Sequence, residues 1–217
     1  MNIVRSYSCI PLDAELTYCP VEQIVYQNDM SQSVPYAEEY FAKYQSYEHL
    51  EIARKINQAR VEISHRYSRF ILDVGIGSGT FLQQCQVPAL GFDVNNTAVA
   101  WLKDRNQYVN PYQGIPKAVD GITLWDVLEH IPEPQLLFSK IKPNTYLFAS
   151  LPIFSDVTQC RTSKHYRPNE HFYYFSEVGF KTFMADSGFN FIESNDSETK
   201  AGRVSILTFV FVKGRCH

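Results

Sequence analysis

A glycine-rich turn follows an acidic residue in the first half of the chain. Residues 71–79 read ILDVGIGSG, in which Asp73 precedes Gly75, Gly77 and Gly79. The apolar residues predict a buried strand that runs into the turn, and the glycines allow positive φ and a close approach of the backbone to a ligand. The first amides of a following helix would face the same point. The segment therefore predicts a binding site for a nucleotide-like cofactor.

The spacing of the glycines narrows the choice of cofactor. It is G-x-G-x-G, one residue tighter at the third glycine than the dinucleotide fingerprint G-x-G-x-x-G. Asp73 would lie at the carboxyl end of the strand, where a carboxylate suits a cationic or hydrogen-bond-donating ligand better than a pyrophosphate. A second apolar segment, residues 89–93, ends in Asp93, which lies 18 residues after Gly75. A ribose-binding acid is expected at about this place.

These two motifs and a third one resemble those of the class I S-adenosylmethionine (SAM)-dependent methyltransferases. The third motif, ITLWDVLEHI at residues 122–131, is similar to the segment of the branch that includes the ubiquinone-biosynthesis O-methyltransferases. The resemblance covers roughly residues 70–152. It implies that Asp73 and the glycine loop contact the amino-acid end and the ribose of SAM. It also implies that Asp93 binds the ribose hydroxyls.

The order of the predicted elements indicates an α/β fold with a doubly wound sheet. From residue 70 onward, strand-like segments alternate with helix-like segments. The resemblance implies a Rossmann-like sheet of seven strands with the last strand antiparallel, and we expect a short third strand near residues 117–119. Residues 1–35 contain several turn signals and predict an irregular arm or lid. Residues 36–217 then form the methyltransferase domain.

The composition is that of a globular chain without a basic surface. Of the 217 residues, 45% are hydrophobic, and the formal net charge of −3 argues against a nucleic-acid partner. No run of apolar residues approaches the ~18 of a membrane span, and the N-terminus lacks an apolar signal region. The five cysteines do not have zinc-site spacing, so no metal is expected. We predict a cytoplasmic protein with a small-molecule acceptor and leave its oligomeric state open.

Polar residues follow the strand predicted at residues 122–125. Because ligands bind at the carboxyl edge of a doubly wound sheet, we expect Asp126 to lie near the cofactor. His130 is a candidate base for an acceptor hydroxyl, since the unperturbed pKa of histidine lies near neutrality. The alternative is that Glu129 and His130 cap the following helix or pair with each other.

A second polar segment, SKHYRPNEHFYYF at residues 163–175, lies between the fifth strand and the next helix. Related methyltransferases place an acceptor-specificity insert there, and loops over a rigid sheet edge often carry binding residues. Its cations favour an anionic acceptor. The alternative is an aromatic cover for the sheet with solvated charges. We predict His165 and His171 as further candidate bases, without a metal pair, and four acceptor contacts: Lys164, Tyr166, Arg167 and Glu170.

The leading interpretation is a SAM-dependent methyltransferase that acts on an oxygen, or a nitrogen, of a small acceptor. The alternatives are an NAD(P)-dependent oxidoreductase, which the tight glycine spacing disfavours, and a non-catalytic SAM-binding module. Methylation of a DNA amino group is disfavoured, because residues 126–129 read DVLE in place of the Asp/Asn-Pro-Pro-Tyr/Phe motif. The segment at residues 198–203 predicts an exposed hairpin turn before the last strand, and the alternative is that Glu198 and Arg203 reach the acceptor side of the sheet edge.

Overall fold

The computed structural model describes residues 9–20, 22–29, 46 and 50–215. In chain order the elements are β1 (Ile10–Pro11), β2 (Leu16–Cys19), β3 (Ile24–Gln27), α1 (Glu51–Tyr67), β4 (Ile71–Val74), α2 (Thr80–Gln84), β5 (Ala89–Phe92), α3 (Asn96–Asp104), β6 (Gly121–Trp125), a 3-10 turn (Leu128–His130), α4 (Pro134–Phe138), β7 (Tyr146–Pro152), α5 (Val157–Thr162), β8 (Tyr173–Phe175), α6 (Glu177–Asp186), β9 (Phe189–Asn195), α7 (Ser197–Lys200) and β10 (Ile206–Lys213). No helix in these ranges is long and apolar enough to cross a membrane.

The larger sheet has the strand order β5-β4-β6-β7-β10-β9. Strands β4 to β7 are mutually parallel, and β10 runs antiparallel between β7 and β9. The predicted α/β sheet with an antiparallel last strand is therefore confirmed. Its central strands are buried on both faces, as the continuous apolar runs of β6 and β7 require.

The described part of this sheet has six strands rather than the seven expected. The third strand expected near residues 117–119 does not form, and Tyr108 makes only a single parallel bridge with Gly91 at that edge. Two prolines, Pro111 and Pro116, interrupt the segment between this bridge and β6. Because proline has no N–H to donate, a regular ladder cannot extend through them.

Two layers of helices cover the larger sheet, and alternate residues of each strand meet opposite layers. Ile71 packs with residues of α1 and α2, namely Ile63 and Phe81, whereas its neighbour Leu72 belongs to the core beneath α4 and α6. Helix α6 begins as predicted, because the Ser176 hydroxyl accepts a hydrogen bond from the backbone N–H of Gly179 at 2.9 Å.

The described part of residues 1–35 is not irregular, which corrects the expectation from the sequence. Strands β1, β2 and β3 form an antiparallel sheet that continues into β8. Residues 24–26 pair with residues 173–175, so the strand partner lies far along the chain and local periodicity does not reveal it. The remaining residues of this arm lie outside the described ranges, and its role as a lid stays a prediction.

Candidate functional site

A cavity of about 460 Å³ opens at the carboxyl ends of β4, β5, β6 and β7. The glycine loop after β4 forms one part of its wall, and residues of α1, the 3-10 turn and the segment before β8 form the rest. This is the edge at which open α/β sheets bind their ligands. The elements that the sequence singled out therefore meet around one space.

The glycine loop is built so that side chains are absent where the backbone meets the cavity. Gly75 has a φ of +78°, and a Cβ there would lie 2.4 Å from Cγ2 of Val127. Gly77 has a φ of +55°, and a Cβ there would meet no atom within 4 Å, although the residue lines the cavity. Space next to Gly77 is thus available to a ligand, and its contact with the cofactor stays a prediction.

Asp73 lies at the bottom of the cavity wall and is only 1% exposed. Its Oδ1 accepts a hydrogen bond from the Thr123 hydroxyl at 2.6 Å. Burial raises the pKa of Asp73 to about 7, and the bond from Thr123 only partly offsets this effect. A cationic or hydrogen-bond-donating ligand next to Asp73 would stabilise its ionised form.

Asp93 connects the glycine loop to the start of α3. Its Oδ1 accepts the backbone N–H of Asn95 at 2.8 Å, and its Oδ2 accepts that of Gly77 at 3.3 Å. The helix cap itself is Asn95, whose side chain accepts from the backbone N–H groups of Thr97 and Ala98. Asp93 lines the cavity, so a ligand hydroxyl can reach its carboxylate from the open side. Burial raises the pKa of Asp93.

Asp126 belongs to a cluster of four charged side chains at the other side of β6. Arg60 Nη2 lies 2.9 Å from Asp126 Oδ2, and Arg203 Nη2 donates to Asp126 Oδ1 at 2.8 Å. Both arginines also pair with Glu198, at 2.7 Å and 2.6 Å. Burial alone would raise the pKa of Asp126, but Arg203 and Arg60 together hold it well below its usual range.

This arrangement changes two expectations from the sequence. Residues 198–203 do join the antiparallel strands β9 and β10, and Thr199, Lys200 and Gly202 are exposed as expected, but Glu198 is 1% exposed and Arg203 lines the cavity. Asp126 does line the cavity, but both of its carboxylate oxygens bind arginines. Its direct contact with the cofactor therefore stays a prediction, and the structure gives it a second function in ordering Arg60 and Arg203.

We expect Glu198→Ala to lower the free energy of unfolding by about 3–5 kcal/mol, because it leaves two largely buried arginines short of a counter-charge. Denaturant unfolding followed by circular dichroism measures the change. Glu51→Ala is the matched control, since Glu51 pairs with Lys55 while 74% exposed, and a solvent-exposed pair contributes little to stability. Equal losses in the two variants would show that the charge cluster does not stabilise the fold.

Three histidines from distant positions in the sequence line the cavity: His130, His165 and His171. The His130 and His171 rings meet edge to face with centroids 4.4 Å apart. His130 Nδ1 lies 2.9 Å from the carbonyl oxygen of Glu170, and His165 Nε2 lies 2.8 Å from that of Val204. Burial lowers the pKa of all three histidines, to about 3 for His171, so they are neutral at physiological pH.

Of the four acceptor contacts predicted in this segment, only Arg167 lines the cavity. Lys164 is exposed to solvent, and Tyr166 packs on Tyr174 with ring centroids 5.5 Å apart. Glu170 pairs with Arg167 at 3.2 Å. The sequence pattern could not separate them, because the segment is irregular and no periodicity tells which side chains face inward.

Two residues of the cavity wall, Arg60 and Glu129, were not among the site residues predicted from the sequence. Arg60 comes from α1 and lies over the Trp125 ring at 5.1 Å, and no local motif marks it. Glu129 is 2% exposed and does not cap α4, whose first flanking residue is Glu133. Glu129, His130 and His171 each offer a ligand atom, and these atoms lie within 4.8 Å of one another.

Comparison with known proteins agrees with this geometry. Residues 44–194 match the family described as methyltransferase domain, whereas no curated protein matches the chain. An Archaeoglobus fulgidus SAM-dependent methyltransferase has a TM-score of 0.55 at 19% identity, covering 79% of this chain and 99% of its own. The N-methyltransferase NodS of Bradyrhizobium japonicum WM9, bound to S-adenosyl-L-homocysteine, has a TM-score of 0.54 at 13% identity, covering 82% and 100%.

Human N-acetylserotonin methyltransferase in complex with SAM has a TM-score of 0.59 at 14% identity, and the match covers 82% of this chain and 56% of the human one. At such identities these structures show a shared fold. The family match itself spans more than half of the chain. The protein therefore belongs to the methyltransferase-domain family and is a class I methyltransferase that uses SAM as its cofactor.

Proposed function

We propose that this enzyme transfers the methyl group of SAM to an oxygen, or alternatively a nitrogen, of a small acceptor that carries an anionic group. The observation that carries the proposal is that the glycine loop and a group of histidines with Arg167 line one cavity. The first set suits the cofactor, and the second suits an acceptor with an ionisable hydroxyl. The net charge of −3 supports a small molecule over a nucleic acid.

The cofactor is proposed to bind along the glycine loop, with its ribose hydroxyls at Asp93 and its amino-acid end near Asp73. Gly75, Gly77 and Gly79 let the loop approach it closely. Asp126 would complete the cofactor-binding part of the cavity by holding Arg60 and Arg203 in position. The acceptor then occupies the part of the cavity lined by the histidines and Arg167.

The chemistry needs alignment more than activation. An acceptor lone pair forms a bond to the methyl carbon while the bond from carbon to the sulfonium sulfur breaks and its electron pair returns to sulfur. Holding acceptor and methyl in line supplies much of the rate, since orientation replaces a bimolecular encounter. An acceptor hydroxyl must also lose its proton, and a neutral histidine in the cavity wall accepts it.

His165 is the base that the hydrogen bonds favour. A backbone carbonyl only accepts, so His165 Nε2 carries the hydrogen that is donated to Val204 O, and the lone pair lies on Nδ1. Its lowered pKa keeps this nitrogen unprotonated at neutral pH. His130 and His171 remain alternative bases, and the pKa of about 3 makes His171 the weakest of the three.

Specificity is proposed to come from the segment before β8 and the arm that covers it. Arg167 offers a guanidinium to an acidic acceptor, a geometry that suits carboxylates and phosphates. The arm contacts the same segment, because Gln27 exchanges two hydrogen bonds of 3.0 Å with Asn169. This contact supports a lid formed by residues 1–35 over a methyltransferase domain of residues 36–217.

The DVLEHI sequence at residues 126–131 supports a reaction like that of the ubiquinone-biosynthesis O-methyltransferases, with an oxygen as the methylated atom. The sequence also supports a cytoplasmic location. The match to the methyltransferase-domain family disfavours both alternatives, an oxidoreductase and a non-catalytic module.

We expect a screen of hydroxylated aromatic acids and phosphorylated metabolites, with SAM consumption as the readout, to identify an acceptor. On that acceptor, His165→Ala should lower turnover by about 10²–10⁴, the range of general acid–base catalysis. Its affinity for SAM, measured by calorimetry, should stay within a few-fold. Full turnover by His165→Ala would exclude it as the base, and a lack of SAM consumption with every acceptor class would contradict the proposed function.

A further inference from the structure

We propose that Glu129, His130 and His171 form a binding site for a divalent transition-metal ion in the acceptor half of the cavity. Methyl transfer from SAM does not itself require a metal, because the sulfonium already activates the methyl group. The site is therefore an addition to the proposed function. It is formed by tertiary structure, since the His130 ring reaches a segment 40 residues further along the chain.

The first observation is the chemistry and spacing of the three side chains. Their ligand atoms lie within 4.8 Å of one another, so one ion can contact all three after small side-chain adjustments. Two imidazoles and one carboxylate are a donor set that binds zinc in hydrolytic enzymes and iron in oxygenases. All three residues also line the cavity, so a ligand can approach the ion from the open side.

The second observation is a buried carboxylate oxygen without a partner. Glu129 is 2% exposed, and its Oε2 has no hydrogen-bond partner among the residues that the structure describes. A buried acceptor that lacks a partner costs on the order of 1–3 kcal/mol, and more when it is charged. A cation between this oxygen and the two imidazoles would remove that cost.

The third observation is that the backbone orients the ligands. The carbonyl oxygen of Glu170 can only accept, so His130 Nδ1 carries the hydrogen and the His130 lone pair lies on Nε2. Such an outer hydrogen bond to a carbonyl is how metal-binding histidines are usually held. The N–H of Phe172 donates to the Glu129 carbonyl oxygen at 2.8 Å, which places the neighbouring His171 beside the 3-10 turn.

The surrounding charges are compatible with a cation. Arg203 and Arg167 act electrostatically on Glu129, and Arg167 also acts on His171. Arg203 is already paired with Asp126 and Glu198, and Arg167 is paired with Glu170. No arginine makes a direct contact with the Glu129 carboxyl group in the described residues. Burial and the nearby Asp126 raise the pKa of Glu129, and a cation bound between the three ligands would favour its ionised form.

Three protein ligands leave coordination positions open, as in catalytic rather than structural metal sites. If the proposed methyl transfer is right, an acceptor oxygen would take one of them, and the ion would lower the pKa of that hydroxyl. This part rests on the proposed function. Binding of the ion itself does not, because the three ligands are present with or without an acceptor.

Cobalt titration of protein freed of metal by a chelator tests the site. We expect one Co²⁺ per chain by calorimetry, with visible absorption bands typical of histidine and carboxylate ligands, and competition by Zn²⁺. Glu129→Gln and His171→Ala should each weaken Co²⁺ binding at least ~100-fold, beyond the 10- to 100-fold typical of losing an outer-sphere partner. His165→Ala should bind Co²⁺ as the wild type does, because His165 shares the cavity but not the cluster.

Binding of S-adenosyl-L-homocysteine by each variant serves as the test of folding and separates the two proposals. Absence of one-to-one Co²⁺ binding by a wild-type protein that binds this cofactor product would overturn the metal site alone. Undiminished Co²⁺ binding by both Glu129→Gln and His171→Ala would also overturn it, as would an equal loss in His165→Ala. Tight Co²⁺ binding by a protein that methylates no acceptor would leave the metal site standing and contradict the proposed function.

Discussion

Gly77→Val is expected to abolish the binding of SAM and of S-adenosyl-L-homocysteine. The residue has a φ of +55°, a conformation that a β-branched side chain rarely adopts, and it lines the cavity. A Cβ there would meet no protein atom within 4 Å, so we expect the added side chain to occupy the space proposed for the cofactor rather than to clash with the protein. Isothermal titration calorimetry on the wild type and the variant measures the loss.

Gly114→Val is the matched control for this experiment. Gly114 also has a positive φ, +155°, and also has no atom within 4 Å of a Cβ, but it lies outside the cavity wall. The control places a β-branched residue at a positive φ away from the cavity, and we expect its SAM affinity to be unchanged. If Gly77→Val bound SAM as tightly as Gly114→Val, the glycine loop would not hold the cofactor.

Asp93→Asn is expected to weaken SAM binding roughly ten- to hundredfold while turnover at saturating SAM changes much less. One carboxylate oxygen becomes an amide that cannot accept, and a hydrogen bond to a charged group contributes about 1.5–3 kcal/mol, where about 1.4 kcal/mol is a factor of ten. The ribose contact is the same in the ground state and in the transition state. Its loss therefore lowers the affinity for SAM and leaves the rate of the chemical step nearly unchanged. Calorimetry and initial rates measure the two quantities.

The fold should survive this substitution, because the amide oxygen of the variant side chain can still accept the N–H of Asn95, as Asp93 does at 2.8 Å. Asp156→Asn is the matched control, since Asp156 accepts the N–H of Gln159 at 2.8 Å at the start of α5, outside the cavity. A lower melting temperature for Asp93→Asn with SAM affinity intact would mean that Asp93 only orders the chain after β5.

The residues that the sequence identified best are those whose partners are close along the chain. The glycine loop and Asp93 belong to one strand–helix–strand unit, so their spacing alone predicted that they meet at the sheet edge. Ser176 caps α6 through a residue three positions away. The antiparallel last strand was likewise expected, since it came with the family resemblance and β10 confirms it.

Other features depend on contacts between segments that are far apart, and no local pattern contains them. The described part of residues 1–35 forms a sheet because β3 pairs with β8. Arg60 reaches the cavity because α1 lies against β6, where Arg60 covers the Trp125 ring. The segment at residues 163–175 shows that a local pattern also fails to separate residues that face the cavity from residues that face solvent. Its residues have similar chemical character, yet only the packed structure decides that Arg167 faces the cavity and Lys164 faces solvent.

The sequence by itself determined the class of fold, the cofactor and the edge of the sheet where the chemistry takes place. The fold class and the sheet edge that carries the cavity follow from backbone conformation and from the alternation of apolar and polar residues, which are local properties of a chain. The cofactor followed from the resemblance of the motifs to those of the SAM-dependent methyltransferases. Tertiary structure alone decided which charges neutralise each other around Asp126 and which side chains gather with Glu129. Such groupings arise because burial forces polar groups from distant segments to satisfy one another, and their energies depend on distances that a sequence does not contain.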